Sequence, residues 1–401
     1  MINKCGGESK NILKNTGITF FTQIFNLLLK FILQRAFLVS LGVQYLGYSS
    51  VFNDILQMLN MADLGIGIAI TSYLYKPIAD NDINRINALM YLYKKIYKLI
   101  GIAVMAIGLI ILVLVPFIIN DASCDDNYLR VLFLINLIGV VSTYFLAYRR
   151  TLLIAQQKAY FTNEVDFIIN LVTSIMQIVL LMIFPNYILY LSLTVAKNIF
   201  SNIIISINCK KTNPYITNEP DIEMAKNYKA PIFAYVKDVF IAKIGAYVYH
   251  GTDNIIISTL MGSVWTGYLA NYSLITIALR SIITQVFSSL QATYGNYIAT
   301  TPSLKKQKEI TDMYYFVNYL VGNICFIDCV IAFQIFIKLY IGSDYILEDS
   351  TVMLLSVNLC LTLMMIIPSQ VFVIYKLYHY DKPVIIISAI LNIIVSVILV
   401  K

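Results

Sequence analysis

Charge is what this sequence has least of. Only 13% of its 401 residues are Asp, Glu, Lys or Arg, against 59% hydrophobic side chains, and the mean hydropathy is +0.75. A soluble protein carries about 25% charged residues, and a chain of this length still has a large surface to cover with them. The shortage excludes a cytosolic enzyme, a secreted domain and a disordered tail. Histidine occurs twice and the six cysteines form no Cys-x-x-Cys pair, so neither a metal site nor a disulfide framework is expected. There is no Gly-x-x-x-x-Gly-Lys-Ser/Thr phosphate loop, and hence no ATPase of the chain's own. No cofactor is expected.

What is present is a series of long apolar runs. A helix crossing the hydrocarbon layer needs about 20 apolar residues. Eleven such stretches lie near 16–41, 48–74, 99–119, 128–152, 164–185, 187–208, 231–257, 264–292, 313–337, 350–374 and 383–400. They lack the short alternation of a membrane barrel, so the fold class is an all-α polytopic membrane protein. The first run holds Lys30 and Arg35 and is too long for a cleavable signal. With the N-terminus placed in the cytoplasm, 20 of the 29 Lys and Arg fall in inner segments and only Arg130, Lys338 and Lys401 in outer ones. That bias fixes the orientation. It also accounts for the net charge of +7 without a nucleic-acid partner.

The longest polar connection, 210–230, lies between two groups of helices and reads as a cytoplasmic linker between an N-terminal six-helix lobe, 1–209, and a C-terminal lobe, 231–401. An internal repeat supports two lobes. LGVQYLGY at 41–48 aligns with MGSVWTGY at 261–268, so that Gly42, Tyr45, Gly47 and Tyr48 meet Gly262, Trp265, Gly267 and Tyr268 at a constant offset of 220. Both copies are read as outer loops following the first helix of a lobe. Repeats of this kind are a common transporter plan, with substrate held between them near mid-membrane. Six helices precede the linker and five follow it, so the last helix is expected to be missing and the second lobe incomplete.

Polar side chains within spans are costly and face a bundle interior or a wet cavity. In the first helix Thr16, Thr19, Gln23, Asn26, Lys30 and Gln34 recur at a spacing of three or four. Lys243, Tyr247, His250 and Asn254 do so in the seventh, and Ser273, Thr276, Arg280, Thr284 and Ser288 in the eighth. Asn53, Gln57 and Asn60 in the second helix, and Asn163, Asp166, Asn170 and Gln177 in the fifth, add neutral groups and one acid. Deep basic residues outnumber deep acidic ones, which suits phosphate or carboxylate. Lys30, Arg35, Lys243, His250 and Arg280 are therefore the candidate substrate-binding residues. Gln23, Asn26, Asn53, Asn60, Tyr247 and Thr284 are the candidate cavity lining. Arg35 lies about 140° around the helix from Lys30 and has a second reading, snorkelling to the interface. His250 is open between packing, proton response and ligation.

Asp121, Asp125 and Asp126 lie in a short outer connection and read as a solvated turn rather than an enzyme's acids. A membrane glycan polymerase would expose acidic residues on a substantial outer loop, and the short outer loops here count against one.

The stretch LGVQYLGYSSVFNDILQMLNMADLGIGIAITSYLYKPIADNDINRINALM, with TDNIIISTLMGSVWTGYLANYSLI at 252–275, resembles bacterial polysaccharide repeat-unit flippases of the multidrug/oligosaccharidyl-lipid/polysaccharide exporter superfamily. The resemblance implies two six-helix lobes forming a V in the bacterial cytoplasmic membrane. It further implies transport of undecaprenyl-pyrophosphate-linked O-antigen, capsule or exopolysaccharide units by alternating access. A lipid-linked oligosaccharide and the bilayer would be its partners, alongside a polysaccharide polymerase and glycosyltransferases. Carried over from lipid-linked peptidoglycan-precursor flippases, the pyrophosphate-binding positions would be Lys30 or Arg35, and Arg280. The alternatives are a drug/cation antiporter of the same superfamily, which would want buried carboxylates, or a membrane glycan polymerase.

Overall fold

The computed structural model describes residues 2–60, 66–119, 121, 123–216, 222–229, 232, 253–375 and isolated positions between 384 and 398. Every regular element among them is helical: α1 (Ile2–Leu41), α2 (Val43–Asn60), α3 (Ile66–Ala79), α4 (Ile83–Ile119), α5 (Asp126–Ala155), α6 (Ala159–Ile183), α7 (Tyr187–Thr212), α8 (Asp253–Met261), α9 (Ser263–Thr300), α10 (Leu304–Tyr340), a 3-10 turn at Ser343–Tyr345, α11 (Asp349–Met364) and α12 (Ile366–Ile374). Seven of the described helices are long and apolar enough to cross a membrane. The expected all-α polytopic membrane fold is what the chain adopts.

The helices outrun the apolar stretches. The expected span 99–119 is only the second half of α4, which begins at Ile83 and, at 37 residues, is about 55 Å long at 1.5 Å per residue. Its start is set by Asp82. That carboxylate accepts from Arg85 N at 3.1 Å and pairs with the Arg85 guanidinium at 3.1 Å. Lys94, Lys95 and Lys98 thus sit on an exposed helix face rather than in a loop.

The chain forms two compact units, one of residues 1–266 with 389–401 and one of 267–388. In the first, α4 and α5 pack through glycines that admit close backbone approach. A Cβ at Gly108 would lie 2.4 Å from Leu137 Cδ1, and one at Gly101 3.1 Å from Tyr144 Cβ. Gly139 does the same for α5 against α7, where a Cβ would lie 2.9 Å from Val195. Caps define the turns: Asp125 accepts from Tyr128 N at 3.1 Å and Asn186 from Leu189 N at 3.2 Å. At the opposite end, the start of the expected linker is anchored. Gln156 and Tyr215 both donate to Asn213 Oδ1, at 2.6 and 2.8 Å, and Asn87 donates to Tyr215 O at 2.9 Å. Residues 222–229 of the same segment are helical.

In the second unit the core gathers Tyr272, Cys329, Phe333, Ile337, Val352, Leu359 and Leu363. Cys329 is packed there as a small apolar residue. The α11–α12 break has a local cause. Pro368 has no N–H to give the Met364 carbonyl four residues earlier, and Asn318 Nδ2 of α10 donates to that oxygen instead, at 2.8 Å.

The repeat reappears as geometry. Gly42 and Gly262 are each the single non-helical residue between two helices. Their φ values are +91° and +96°, the region that favours glycine. Each donates its N–H to the carbonyl four residues back, Leu38 at 2.9 Å and Ser258 at 3.0 Å. Of the expected outer loops at 41–48 and 261–268 only Gly42 and Gly262 are non-helical, and the rest belongs to the flanking helices.

Candidate functional site: a cationic polar seam

Along the first unit the polar stripe of α1 meets α6, which carries it on to α7. Asn170 Nδ2 donates to Asn26 Oδ1 at 2.9 Å, and Lys197 Nζ donates to Asn170 Oδ1 at 3.2 Å. One line of side chains thus links three helices. Nearer the other end of α7, Arg150 on α5 grips Asp166 through Nη2–Oδ1 at 3.0 Å and also reaches Ser201 Oγ at 3.3 Å. Ser201 itself donates to Asp166. Arg149 donates to Ser206 Oγ at 2.6 Å. Gln177 closes the row by donating to Thr194 Oγ1 at 2.8 Å and to the Tyr190 carbonyl at 3.1 Å.

The seam is electrically unbalanced. Asp166 is its acid, and Arg150 neutralises it. Lys197 and Arg149 have only neutral partners in the hydrogen bonds above, and among the described residues neither forms an ion pair. Lys30, one turn beyond Asn26 on the same face of α1, is exposed and forms none either. Lys30 and Lys197 therefore flank the α1–α6–α7 line beside a carboxylate that Arg150 already pairs, while Arg149, whose partner Ser206 is on the opposite side of α7 from Lys197, stands apart. In a poorly hydrated setting such groups favour an anion strongly.

Of the residues singled out in the sequence, Asn26, Asp166, Asn170 and Gln177 enter this hydrogen-bonded seam directly, and Gln23 and Lys30 share the helix face of Asn26. Asn60 faces α5 instead, accepting from Tyr144 OH at 2.7 Å. Asn53 and Arg35 are exposed on their helices. Arg280, exposed, and Thr284, half-buried, lie on α9 in the second unit. Lys243, Tyr247 and His250 lie outside the described residues. Lys197, Arg149 and Arg150 were not singled out as ligands. The signal for Lys197 was the row Thr194, Lys197, Ser201 on α7, a three-or-four spacing like that of α1.

A second polar centre lies at the Gly42 end, and it adds to an expectation. Asp121 is a part-exposed turn residue that also gathers donors from three segments. It accepts from Tyr48 OH at 2.5 Å, Ser123 N at 3.0 Å, Ser123 Oγ at 2.8 Å and Ser263 Oγ at 3.3 Å, and from Gln44 Nε2. Burial pushes the Asp121 carboxyl up, but the hydrogen bonds from Tyr48, Gln44 and Ser123 outweigh it and hold it down at about 2. One carboxylate thus joins the first repeat copy, the α4–α5 connection and the second copy. Gly47 lets them meet: a Cβ there would lie 1.9 Å from the Ser263 carbonyl oxygen. Beside it Ser258 and Thr259 of α8 donate to the Ile119 and Ile118 carbonyls at 3.3 and 3.1 Å, groups left free at the end of α4.

No protein-family model and no curated protein matches this chain. Among solved structures it is similar to a multidrug resistance MATE family transporter of the MOP superfamily in its inward-facing conformation. The TM-score is 0.66 at 14% identity, over 94% of this chain and 84% of that one. It is also similar to a MATE protein in a bent conformation, with a TM-score of 0.52 at 14% identity over 98% and 94% of the two chains. The chain has the fold of these transporters. At such identity the likeness is one of fold alone.

Proposed function

We propose that this protein is a membrane transporter that moves an anionic, lipid-linked substrate by alternating access, the substrate class being pyrophosphate-linked oligosaccharide units for surface polysaccharide. The fold supports transport. The observation that carries the sign of the substrate is the polar seam, where Lys30 and Lys197 stand beside an acid already paired with Arg150. Neutral amides and hydroxyls between them (Gln23, Asn26, Asn170, Ser201) suit the hydroxyls of a sugar. Arg280, Lys243 and His250 are the further positions we assign to the head group.

With the basic ends of the helices in the cytoplasm, the Gly42 end faces outward. The Asp121 junction then ties the two repeat copies at the outer surface, and outward opening requires its hydrogen bonds to break. The multidrug reading, taken from the similar structures, would need an acid free to meet a cation. Asp166 is held by Arg150, and Asp54, which accepts from the neutral Asn254 Nδ2 at 2.8 Å, is the acid that reading would use; the two lysines of the seam, Lys30 and Lys197, outnumber it and favour the anionic substrate.

The test is binding by the purified full chain. A fluorescent polyprenyl-pyrophosphate sugar should be retained, and inorganic pyrophosphate should compete for it. Lys30→Gln with Lys197→Gln should weaken it about tenfold or more, the size of a lost charge-assisted hydrogen bond. Equal retention by the double variant would refute the assignment.

A further inference from the structure

The second unit holds a cavity that plays no part in this reading. It has a volume of about 380 Å³ and is lined by Asp312, Tyr315, Phe316, Asn318 and Tyr319 of α10 and Met364 at the α11–α12 break. Asp312, Tyr315, Phe316 and Tyr319 share one helix face by their spacing, and Lys308 precedes them on it by one turn. Phe316 and Tyr319 are 64% and 58% exposed, so the walls are open aromatic surface. The floor is Asn318, 2% exposed, whose amide nitrogen is spent on Met364 O while its Oδ1 is buried with no hydrogen-bond partner.

The charges at the mouth are separate. Among the described residues Asp312 forms neither an ion pair nor a hydrogen bond, and Lys308, about 6 Å along the axis at 1.5 Å per residue, forms no ion pair. Both are exposed. The apolar span begins at 313, so this mouth lies where lipid head groups meet water, the level at which tyrosines collect. Aromatic faces attract any ammonium, but only a primary one has N–H groups to donate to the Asp312 carboxylate, a charge-assisted hydrogen bond that a trimethylammonium cannot make. A lysine one turn away holds a phosphate. A phosphate and an ammonium joined by a two-carbon arm, with an apolar tail to lie along Phe316, Tyr319 and Met364, describe an aminophospholipid.

We propose that this cavity is a binding site for a phosphatidylethanolamine molecule of the surrounding leaflet, with Asp312 on its ammonium and Lys308 on its phosphate. The site rests on none of the residues of the seam and does not depend on the transported substrate.

Native mass spectrometry of the full chain released from nanodiscs of mixed phosphatidylethanolamine, phosphatidylcholine and phosphatidylglycerol tests it. The expected result is one phosphatidylethanolamine retained at collision energies that strip the other two. Asp312→Asn should cut that retention about tenfold without changing phosphatidylcholine retention, and Lys308→Gln should lower both. Tyr319→Leu, which keeps the wall apolar, should halve the retention or more; unchanged retention in it would overturn the cavity as the site. Phosphatidylglycerol retained as well as phosphatidylethanolamine would show that lysine alone attracts lipid, and would overturn the proposal. Displacement by micromolar decylammonium, with no lipid preference, would reassign the cavity to free organic cations and equally overturn it.

Discussion

Replacing Asp121 by Asn isolates one carboxylate from a junction otherwise kept in shape. The amide retains one acceptor oxygen but loses the charge that draws Tyr48, Gln44, Ser123 and Ser263 together. The native carboxyl sits at about 2 rather than 3.8. At 1.36 kcal/mol per pH unit that difference corresponds to about 2.4 kcal/mol, and exposure to water reduces it to ~1 kcal/mol. A change of that size moves a closed-to-open ratio about fivefold. Because the folded value is depressed, the stabilisation is complete above pH 3.8 and is lost as the pH falls through 2. Between pH 5 and 9 the junction should therefore not respond to protons. The assay places a reporter at Thr266, fully buried beside Gly47, as Thr266→Cys in a chain otherwise free of cysteine. It is labelled in intact cells with a membrane-impermeant maleimide. Asp121→Asn should speed labelling about fivefold. Because maleimide reacts with the thiolate, each rate is divided by that of an exposed reference cysteine at the same pH, and the normalised rate of the chain that keeps Asp121 should be flat from pH 5 to 9. Equal rates with and without Asp121, or a normalised rate that climbs between pH 5 and 7, would refute the reasoning.

Three further outcomes follow from the packing. Gly47→Ala puts a methyl group into the Ser263 carbonyl and should cost about 1–3 kcal/mol of thermal stability in detergent, whereas Gly295→Ala, where a Cβ would have 3.7 Å of room, should cost less than ~1 kcal/mol. Arg150→Gln strands Asp166 and should lower the melting temperature more than Arg150→Gln with Asp166→Asn, since the second change removes the unpaired charge. Asn318→Ala orphans the Met364 carbonyl and should cost about 1–3 kcal/mol. Adding Pro368→Ala restores a backbone donor four residues on and should recover part of that loss, and strict additivity of the two changes would contradict the account of the break.

Much of the architecture was legible because membrane helices advertise themselves by length. The repeat was legible too: Gly42 and Gly262, matched at an offset of 220, carry φ values of +91° and +96°. Helix ends were not. Residues 83–98 and 304–312 are polar enough to read as loops, yet they continue α4 and α10 because Asp82 and Ser303 cap them in water. The site was half legible. The α1 stripe pointed to Asn26, but its partners Asn170 and Lys197 become neighbours only when α6 and α7 pack on α1. The partners of Asp121 were not legible, because a short acidic connection reads as a solvated turn and nothing more. Only the fold brings Gln44, Tyr48 and Ser263 to it, across sequence gaps of 77, 73 and 142 residues.

The central claim is that this fold carries an anion on a lipid, and its most direct test is transbilayer movement. The full chain is reconstituted in liposomes holding a fluorescent polyprenyl-pyrophosphate disaccharide, and the fraction protected from external dithionite is followed with time. The account predicts movement that depends on the protein, is blocked by Lys30→Gln with Lys197→Gln, and is unaffected by organic cations such as ethidium. Protein-dependent movement of ethidium, with the pyrophosphate lipid left in its original leaflet, would contradict it.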